Sequence, residues 1–129
     1  MIELQAMYGV VNNSPRTKLV GGIAANDTVI PLADANVMPP APNIATIGEE
    51  EDAELVLYNG INGNALTGCI RGYNGTLAQV WQANEPVYRG YTSVDHDRFV
   101  ANIKGLHTAM AGLMESLGDL PIDGGPFVT

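Results

Sequence analysis

The densest group of ionisable side chains that includes a histidine is the triplet Asp95-His96-Asp97. Carboxylate and imidazole groups are common ligands of divalent metals, so this triplet is the first place to look for a metal centre. It has no further ligand three or four residues away on a shared helix face, because the second histidine, His107, lies three turns on. We therefore expect no metal and interpret the triplet as the solvated start of a helix.

A second ionisable group is the acidic run Glu49-Glu50-Glu51-Asp52, with Glu54 just beyond it. Carboxylates bind Ca²⁺, but this run lacks the ligand spacing of an EF-hand loop. The run predicts a solvated loop between two strands. The alternative is a docking surface for a basic partner, formed by Glu49, Glu50, Glu51 and Asp52.

Nucleophilic side chains offer no clear catalytic arrangement. Cys69 is the one cysteine and lies inside a predicted strand, where we expect a small buried residue. Ser14 and Ser93 lack the Gly-x-Ser-x-Gly setting of a nucleophile elbow, and no glycine loop with Lys-Ser/Thr is present for phosphate. The sequence therefore predicts no catalytic residue and no cofactor, and favours a non-enzymatic assembly protein.

Composition narrows the partners that the chain can have. Six Lys and Arg residues face 14 Asp and Glu residues, for a net charge of −8, and the basic residues are scattered. Nucleic acids and anionic membranes are bound by clustered cations, so we expect neither as a partner. The first residues have no basic and apolar leader pattern, and a single cysteine forms no intrachain disulfide. We expect synthesis in a reducing cytoplasm without a signal peptide.

The elements that would position these groups are short, because turn-forming residues are frequent: 15 Gly, 8 Pro and 11 Asn among 129 residues. The pattern predicts a mainly β protein, with a small antiparallel β-sandwich or barrel of about six or seven short strands followed by one C-terminal α-helix. Residues 1–91 would form the β-rich domain, residues 92–120 the helix, and residues 121–129 a tail. The strands are predicted at residues 6–11, 17–23, 28–32, 43–48, 54–58, 65–71 and 87–91, with a helical turn at 76–83 around Trp81.

The strongest β signal is a hairpin between residues 54 and 71. Asn59-Gly60 and Asn62-Gly63 compete for its turn, since Asn-Gly tolerates the positive φ values of tight turns. Gly68, in the return strand, indicates a bulge or a close neighbour. Alternation predicts that Leu55, Leu57, Leu66 and Ile70 are buried.

The helix carries the most informative pattern. Thr92 and Asp95 match a capping box at its start. Apolar residues then recur at alternating steps of four and three, the 3.5-residue period of a coiled coil. These seam residues are Phe99, Ile103, Leu106, Met110, Leu113, Leu117 and Leu120.

Two interpretations of the helix compete. It either covers the β domain as an amphipathic lid, or it associates with copies of itself. Residues flanking the seam carry no fixed charge, which favours a trimer or larger bundle over a dimer set by ion pairs. Gly105, Gly112 and Gly118 weaken an isolated helix, so the helix needs packing partners. The flanking residues are Val100, Asn102, His107, Ala109, Met114 and Ser116.

Four stretches share a pattern when taken in order: residues 43–58, residues 63–78 (GNALTGCIRGYNGTLA), residues 87–97 (VYRGYTSVDHD) and residues 123–127 (DGGPF). With their R-G-x-x-G-T-x-A, Y-T-x-x-D-H and D-G-G-x-F motifs, they resemble small virion structural proteins of tailed bacteriophages. Pro126 stands where that pattern usually has Thr, and Trp81 where it often has a polar residue or His.

The resemblance implies a virion component, commonly trimeric, that contacts itself and other virion proteins. A tail or baseplate adaptor, or a fibre-attachment connector, is the first expectation, and a capsid-attached head fibre or decoration protein is the alternative. A carbohydrate-binding module is a third hypothesis, using Tyr58, Tyr73, Tyr88 and Tyr91 for stacking on sugars. The resemblance also suggests a compact turn at residues 71–76. Beside that turn, Arg71 and Arg89 would be donors to a neighbouring subunit or a solvated rim.

Overall fold

The computed structural model describes residues 4–118 and shows a mainly β protein with a single C-terminal helix, as the sequence predicts. The strands in this part of the chain are β1 (Arg16–Lys18), β2 (Ile30–Pro31), β3 (Asn43–Ile47), β4 (Glu54–Tyr58), β5 (Gly60–Asn62), β6 (Ala65–Thr67) and β7 (Pro86–Tyr88). Two 3-10 turns, Ala35–Val37 and Tyr73–Gly75, and the helix α1 (Ser93–Gly118) complete the elements.

The strands pair antiparallel in two sheets, in the orders β1-β7-β3-β4 and β2-β6-β5. Isolated bridges connect the sheets at both sides. Leu19 pairs with Leu32 next to β1 and β2, and Leu57 pairs with Ile70 next to β4 and β6. Backbone pairing therefore runs around a complete ring, and the strands close into a small barrel.

Strands β3 and β4 are neighbours in this ring, and every residue of both is buried. Alternate side chains of a strand point to opposite faces, so full burial means that both faces are covered. One face contributes Ala45, Ile47, Val56 and Tyr58 to the main core with Trp81. The opposite face forms a second cluster of Ile44, Leu55, Leu57 and Val94, against which Tyr8 and Tyr73 pack.

The predicted hairpin is present in part. Its paired arms are β5 and β6, whereas β4 pairs with β3 and meets the return segment only at the Leu57–Ile70 bridge. Asn62 pairs with Ala65 and Gly63 has a φ of 61°, so the turn is Gly63-Asn64, which overlaps the second predicted Asn-Gly pair by one residue. Leu55, Leu57 and Leu66 are buried as predicted, but the prediction for Ile70 is wrong, because this side chain is 49% exposed.

A break in the return strand explains the error at Ile70. Gly68 has a φ of 58°, so it interrupts the alternation, and Cys69 is buried in place of Ile70. A side chain at Gly68 would also approach the Cβ of Asn59 to 3.2 Å, so this glycine has the close neighbour that the sequence suggested.

Several predicted strands are shorter than expected or missing. Residues 4–11 form no strand. The segments predicted at 17–23 and 28–32 keep only β1, β2 and single bridges, since the turn at 24–27 and Gly21-Gly22 interrupt the ladder. The last strand is Pro86–Tyr88 rather than 87–91, because the chain leaves the sheet there to reach the helix cap.

The helical turn predicted at 76–83 is also wrong. These residues form no helix, and Leu77 and Val80 are exposed, while Trp81 is buried and bridges to Ile23. The segment is instead held by two bonds to Glu54, one from the backbone amide of Gln79 and one from the indole of Trp81.

The helix begins as predicted. The backbone N–H of Thr92 donates to Asp95 Oδ2 at 2.9 Å, and the N–H of Asp95 donates to Thr92 Oγ1 at 3.3 Å, which is a reciprocal capping box.

Leu120 and the predicted tail at 121–129 lie outside the described residues. Contacts group Tyr8–Asp95 into one compact unit, hereafter the barrel, and residues 4–7 with 96–118 into another.

Candidate functional site

Glu54 is fully buried in the barrel and is the centre of a hydrogen-bonded hub. Its carboxylate accepts bonds from the Arg71 guanidinium at 2.6 and 2.9 Å and from the Trp81 indole at 3.0 Å. The backbone amides of Gly72 and Gln79 add two more bonds, at 2.9 and 3.0 Å. We call Glu54 and these four donors the Glu54 hub.

Arg71 extends the hub to a distant turn. It donates to the carbonyls of Ala24 at 2.6 Å, Asp27 at 3.2 Å and Gln79 at 2.7 Å. Burial raises the pKa of the Glu54 carboxyl, but the bonds from the hub outweigh this effect and hold the pKa below its ordinary 4.5. The carboxylate is thus fully occupied by protein donors, so its role is to fix the loop at 71–81 rather than to take part in chemistry.

A second buried ion pair, Arg89 with Asp95, lies within the barrel unit, close to the cap residue Thr92. Arg89 is buried, and its guanidinium donates to both carboxylate oxygens of Asp95 at 2.7 Å. It also donates to Asn43 Oδ1 at 2.7 Å and to the Gly9 carbonyl at 3.1 Å. Burial raises the pKa of Asp95, but Arg89 and Thr92 together hold it below its ordinary 3.8. Asp95 is therefore a structural anion.

Both expectations for the two arginines are wrong. Arg71 and Arg89 are neither a solvated rim nor open to a neighbouring subunit, because their side chains are 5% and 1% exposed and saturated by their own chain. Sequence reasoning missed the Glu54 hub, since Arg71 lies 17 residues from Glu54. The Arg89–Asp95 pair had one local signal, a capping aspartate six residues after an arginine.

The acidic run lies on the surface, unlike Glu54 just beyond it. Glu49, Glu50, Glu51 and Asp52 are exposed, whereas Glu54 belongs to the hub. Glu49 forms an exposed ion pair with Arg16. A shallow depression of about 250 Å³ opens beside the run. Its lining is Gly48, Glu49, Glu50, Asp52, Trp81, Glu85 and Pro86.

Cysteine and tyrosine side chains take mainly structural positions. Cys69 is buried as predicted, and burial raises the pKa of its thiol to about 11. Tyr58 is unsuited to stacking on a sugar, because it is fully buried and its hydroxyl donates to the Pro39 carbonyl at 2.6 Å. The Tyr88 ring packs under the Arg16 guanidinium at 4.4 Å, and Tyr91 is exposed.

The seam of the helix is exposed to solvent. Between residues 96 and 118, the charged side chains are Asp97, Arg98, Lys104 and Glu115, at positions outside the seam and its flanks. The described seam side chains are 49% to 67% exposed, although all are large and apolar. They are Phe99, Ile103, Leu106, Met110, Leu113 and Leu117.

The chain's own N-terminal residues occupy one flank of the helix. Asn102 Nδ2 donates to the Gln5 carbonyl at 3.1 Å, and the Gln5 N–H donates to Asn102 Oδ1 at 2.7 Å. Arg98 donates to the Ala6 carbonyl at 2.8 Å. Asn102 is consequently buried, unlike the seam, and no sequence pattern predicted this contact. We call residues 4–7 the arm.

The described residues contain neither a metal-ligand cluster nor a membrane-spanning helix. Among residues 4–118, no three His, Cys, Asp or Glu side chains are grouped so as to hold a metal ion. Over the same residues, no helix has the length and apolar character needed to cross a bilayer. Neither a protein-family model nor a curated protein sequence matches the chain.

Proposed function

We propose that this protein is a non-enzymatic structural component that self-associates through the α1 seam, as a trimer, and serves as a tail or baseplate adaptor or fibre-attachment connector of a tailed bacteriophage virion. The observation that carries the self-association is the row of large apolar side chains, each about half exposed or more, along α1. Exposed apolar surface in a continuous stripe is typical of interaction sites.

Charge placement supports a copy of the same chain as the partner. With a net charge of −8, copies repel one another unless their charges are turned away from the contact. The four charged residues of the helix beyond its first turn lie away from the seam, so a parallel bundle brings no like charges together there. Uncharged flanks support a trimer over a charge-paired dimer.

The virion assignment rests on the ordered sequence motifs, and the barrel suits a connecting role. The stretches 63–78 and 87–97 contain the two buried arginines, Arg71 and Arg89, that fix the loop at 71–81 and the helix cap. A barrel held in this way presents its surface loops in one arrangement, as a connector between larger assemblies requires. Mass spectrometry of particles purified from the encoding virus tests this part, and absence of the chain from them contradicts it.

Charges placed inside the seam test the self-association. Leu106→Glu with Met110→Lys puts charges into every apolar contact between copies, where the cost of desolvating them exceeds what a Glu–Lys pair returns, and we expect the variant to sediment as a monomer. The β-strand contribution to the circular dichroism spectrum should be unchanged, because neither residue belongs to the barrel core. Thr108→Glu with Ala111→Lys adds the same charges to the exposed opposite face and should keep the wild-type mass. A wild type that is monomeric at tens of micromolar contradicts the proposal.

A further inference from the structure

Side chains of the helix bind the arm through the arm's backbone groups and not through its side chains. The side-chain amide of Asn102 uses its donor and its acceptor on the carbonyl and the N–H of one residue, Gln5. Arg98 adds a bond to the next carbonyl, that of Ala6. The side chains of the arm are consequently left for other contacts.

The arm lies directly beside the seam. On a helix, residues three and four apart are neighbours, so Asn102 is flanked by the seam residues Phe99 and Leu106. Leu4 and Met7, at the two ends of the arm, are 48% and 56% exposed. The apolar surface of the seam therefore continues onto the arm.

The size of the seam argues that it is not the whole interface. A large aliphatic side chain removes roughly 100 Å² of apolar surface from water when it is fully buried. Six seam residues that are about half exposed thus offer about 300 Å² per chain. A stable interface buries about 800 Å² per partner. A second copy on the seam must therefore also contact adjoining surface, which comprises the uncharged flanking residues and the arm beside Asn102.

We infer that the arm is part of the self-association surface, with Leu4 and Met7 packing against a second copy of this chain while Asn102 holds the arm in place. The inference rests on the proposed self-association and adds a second element to it. Arg98 donates to the Ala6 carbonyl, and the arm itself, Leu4-Gln5-Ala6-Met7, carries no charged side chain that a partner copy would have to bury.

The experiment compares dissociation constants of the full chain by sedimentation equilibrium. We expect Leu4→Ser with Met7→Ser to weaken self-association about tenfold or more. Asn102→Ala should weaken it as well, because the arm is no longer held. Combining all three changes should add little to the larger of the two effects, since both act through the same arm. Val20→Ser with Leu77→Ser removes two exposed apolar side chains from the barrel and should leave the constant unchanged.

The outcomes separate this inference from the proposal beneath it. A monomeric wild type removes both. An oligomeric wild type whose constant changes less than about twofold in the arm variant overturns the inference and leaves the seam as the interface. Fully additive effects of the arm and Asn102 changes also contradict it. Circular dichroism at the same concentrations checks that α1 remains folded in every variant.

Discussion

The barrel and the helix distribute their side chains in opposite ways. In the barrel, charged residues are inside: Glu54 and Arg89 are buried and fully hydrogen-bonded. On the helix, the large apolar residues are outside, and the buried side chain beyond the first turn, among the described residues, is the polar Asn102. In the barrel, the buried charged groups have hydrogen-bond partners within the same chain. On the helix, the large apolar side chains of the seam remain exposed to solvent.

This difference implies that the barrel is stabilised by contacts within one chain, whereas the helix depends on a partner for part of its stability. Strands of two to five residues make few ladder bonds, so long irregular connections such as residues 71–81 must be fixed by other means. Buried ion pairs with complete hydrogen bonding provide that fixation, and they are strongly destabilising to break. The described seam side chains of the helix, up to Leu117, are about half exposed or more, so its stability should depend on association.

The largest expected effect breaks the barrel at its hub. Glu54→Ala leaves the buried Arg71 guanidinium without its anion, and we expect a loss of about 3–5 kcal/mol in the free energy of unfolding. Urea denaturation followed by Trp81 fluorescence measures it. Glu51→Ala, three residues away on the exposed loop, is the control and should cost less than about 0.5 kcal/mol. Equal effects of the two changes would mean that the hub is not a stabilising centre.

The next prediction makes the same substitution in both regions. Leu66→Ala, in the barrel core, should lower the free energy of unfolding by about 2–5 kcal/mol, because Leu66 is fully buried. Leu113→Ala, on the exposed seam, should cost less than about 1 kcal/mol in dilute solution, but should weaken self-association. Thermal unfolding at low concentration and sedimentation at high concentration measure the two effects. A large stability loss for Leu113→Ala in the monomer would show that the seam is covered by its own chain.

The smallest effect comes from pH, which acts on the barrel. Glu54 and Asp95 have folded-state pKa values below their ordinary 4.5 and 3.8. Such groups stabilise the fold fully above the unfolded-state pKa, and the contribution is lost as pH falls toward the folded-state pKa. We expect constant stability from pH 7 to about 5 and a decline below about 4. Protonation is partial there, so the loss is smaller than that of Glu54→Ala. In Glu54→Gln the decline should be weaker, and an unchanged acid profile would contradict this assignment.

Features with a local or periodic signature were predictable from the sequence. The capping box at Thr92 and Asp95, the hairpin and the helix each depend on residues close in the chain, so their patterns were sufficient. The mainly β class followed from the frequency of turn residues.

Features that join distant residues were not predictable. Glu54 looks like the last member of an acidic run, yet it shares a strand face with Val56 and Tyr58 and is buried with them. Leu55 and Leu57 are equally apolar, so alternation alone does not say which face meets the core. Closure of the barrel depends on single bridges such as Leu19 with Leu32, which leave no sequence pattern. The seam as an interface stays a prediction.

The ring of strand pairing also sets an order of events during synthesis. The first strand, Arg16–Lys18, pairs with the last, Pro86–Tyr88, so the ring stays open until about 70 further residues have been made. Such non-local pairing is slow compared with helix formation. The ribosome adds α1 directly after the closing strand, so the seam emerges only when the barrel has every strand it needs. A nascent chain that is still open thus lacks the seam with which to join its neighbours.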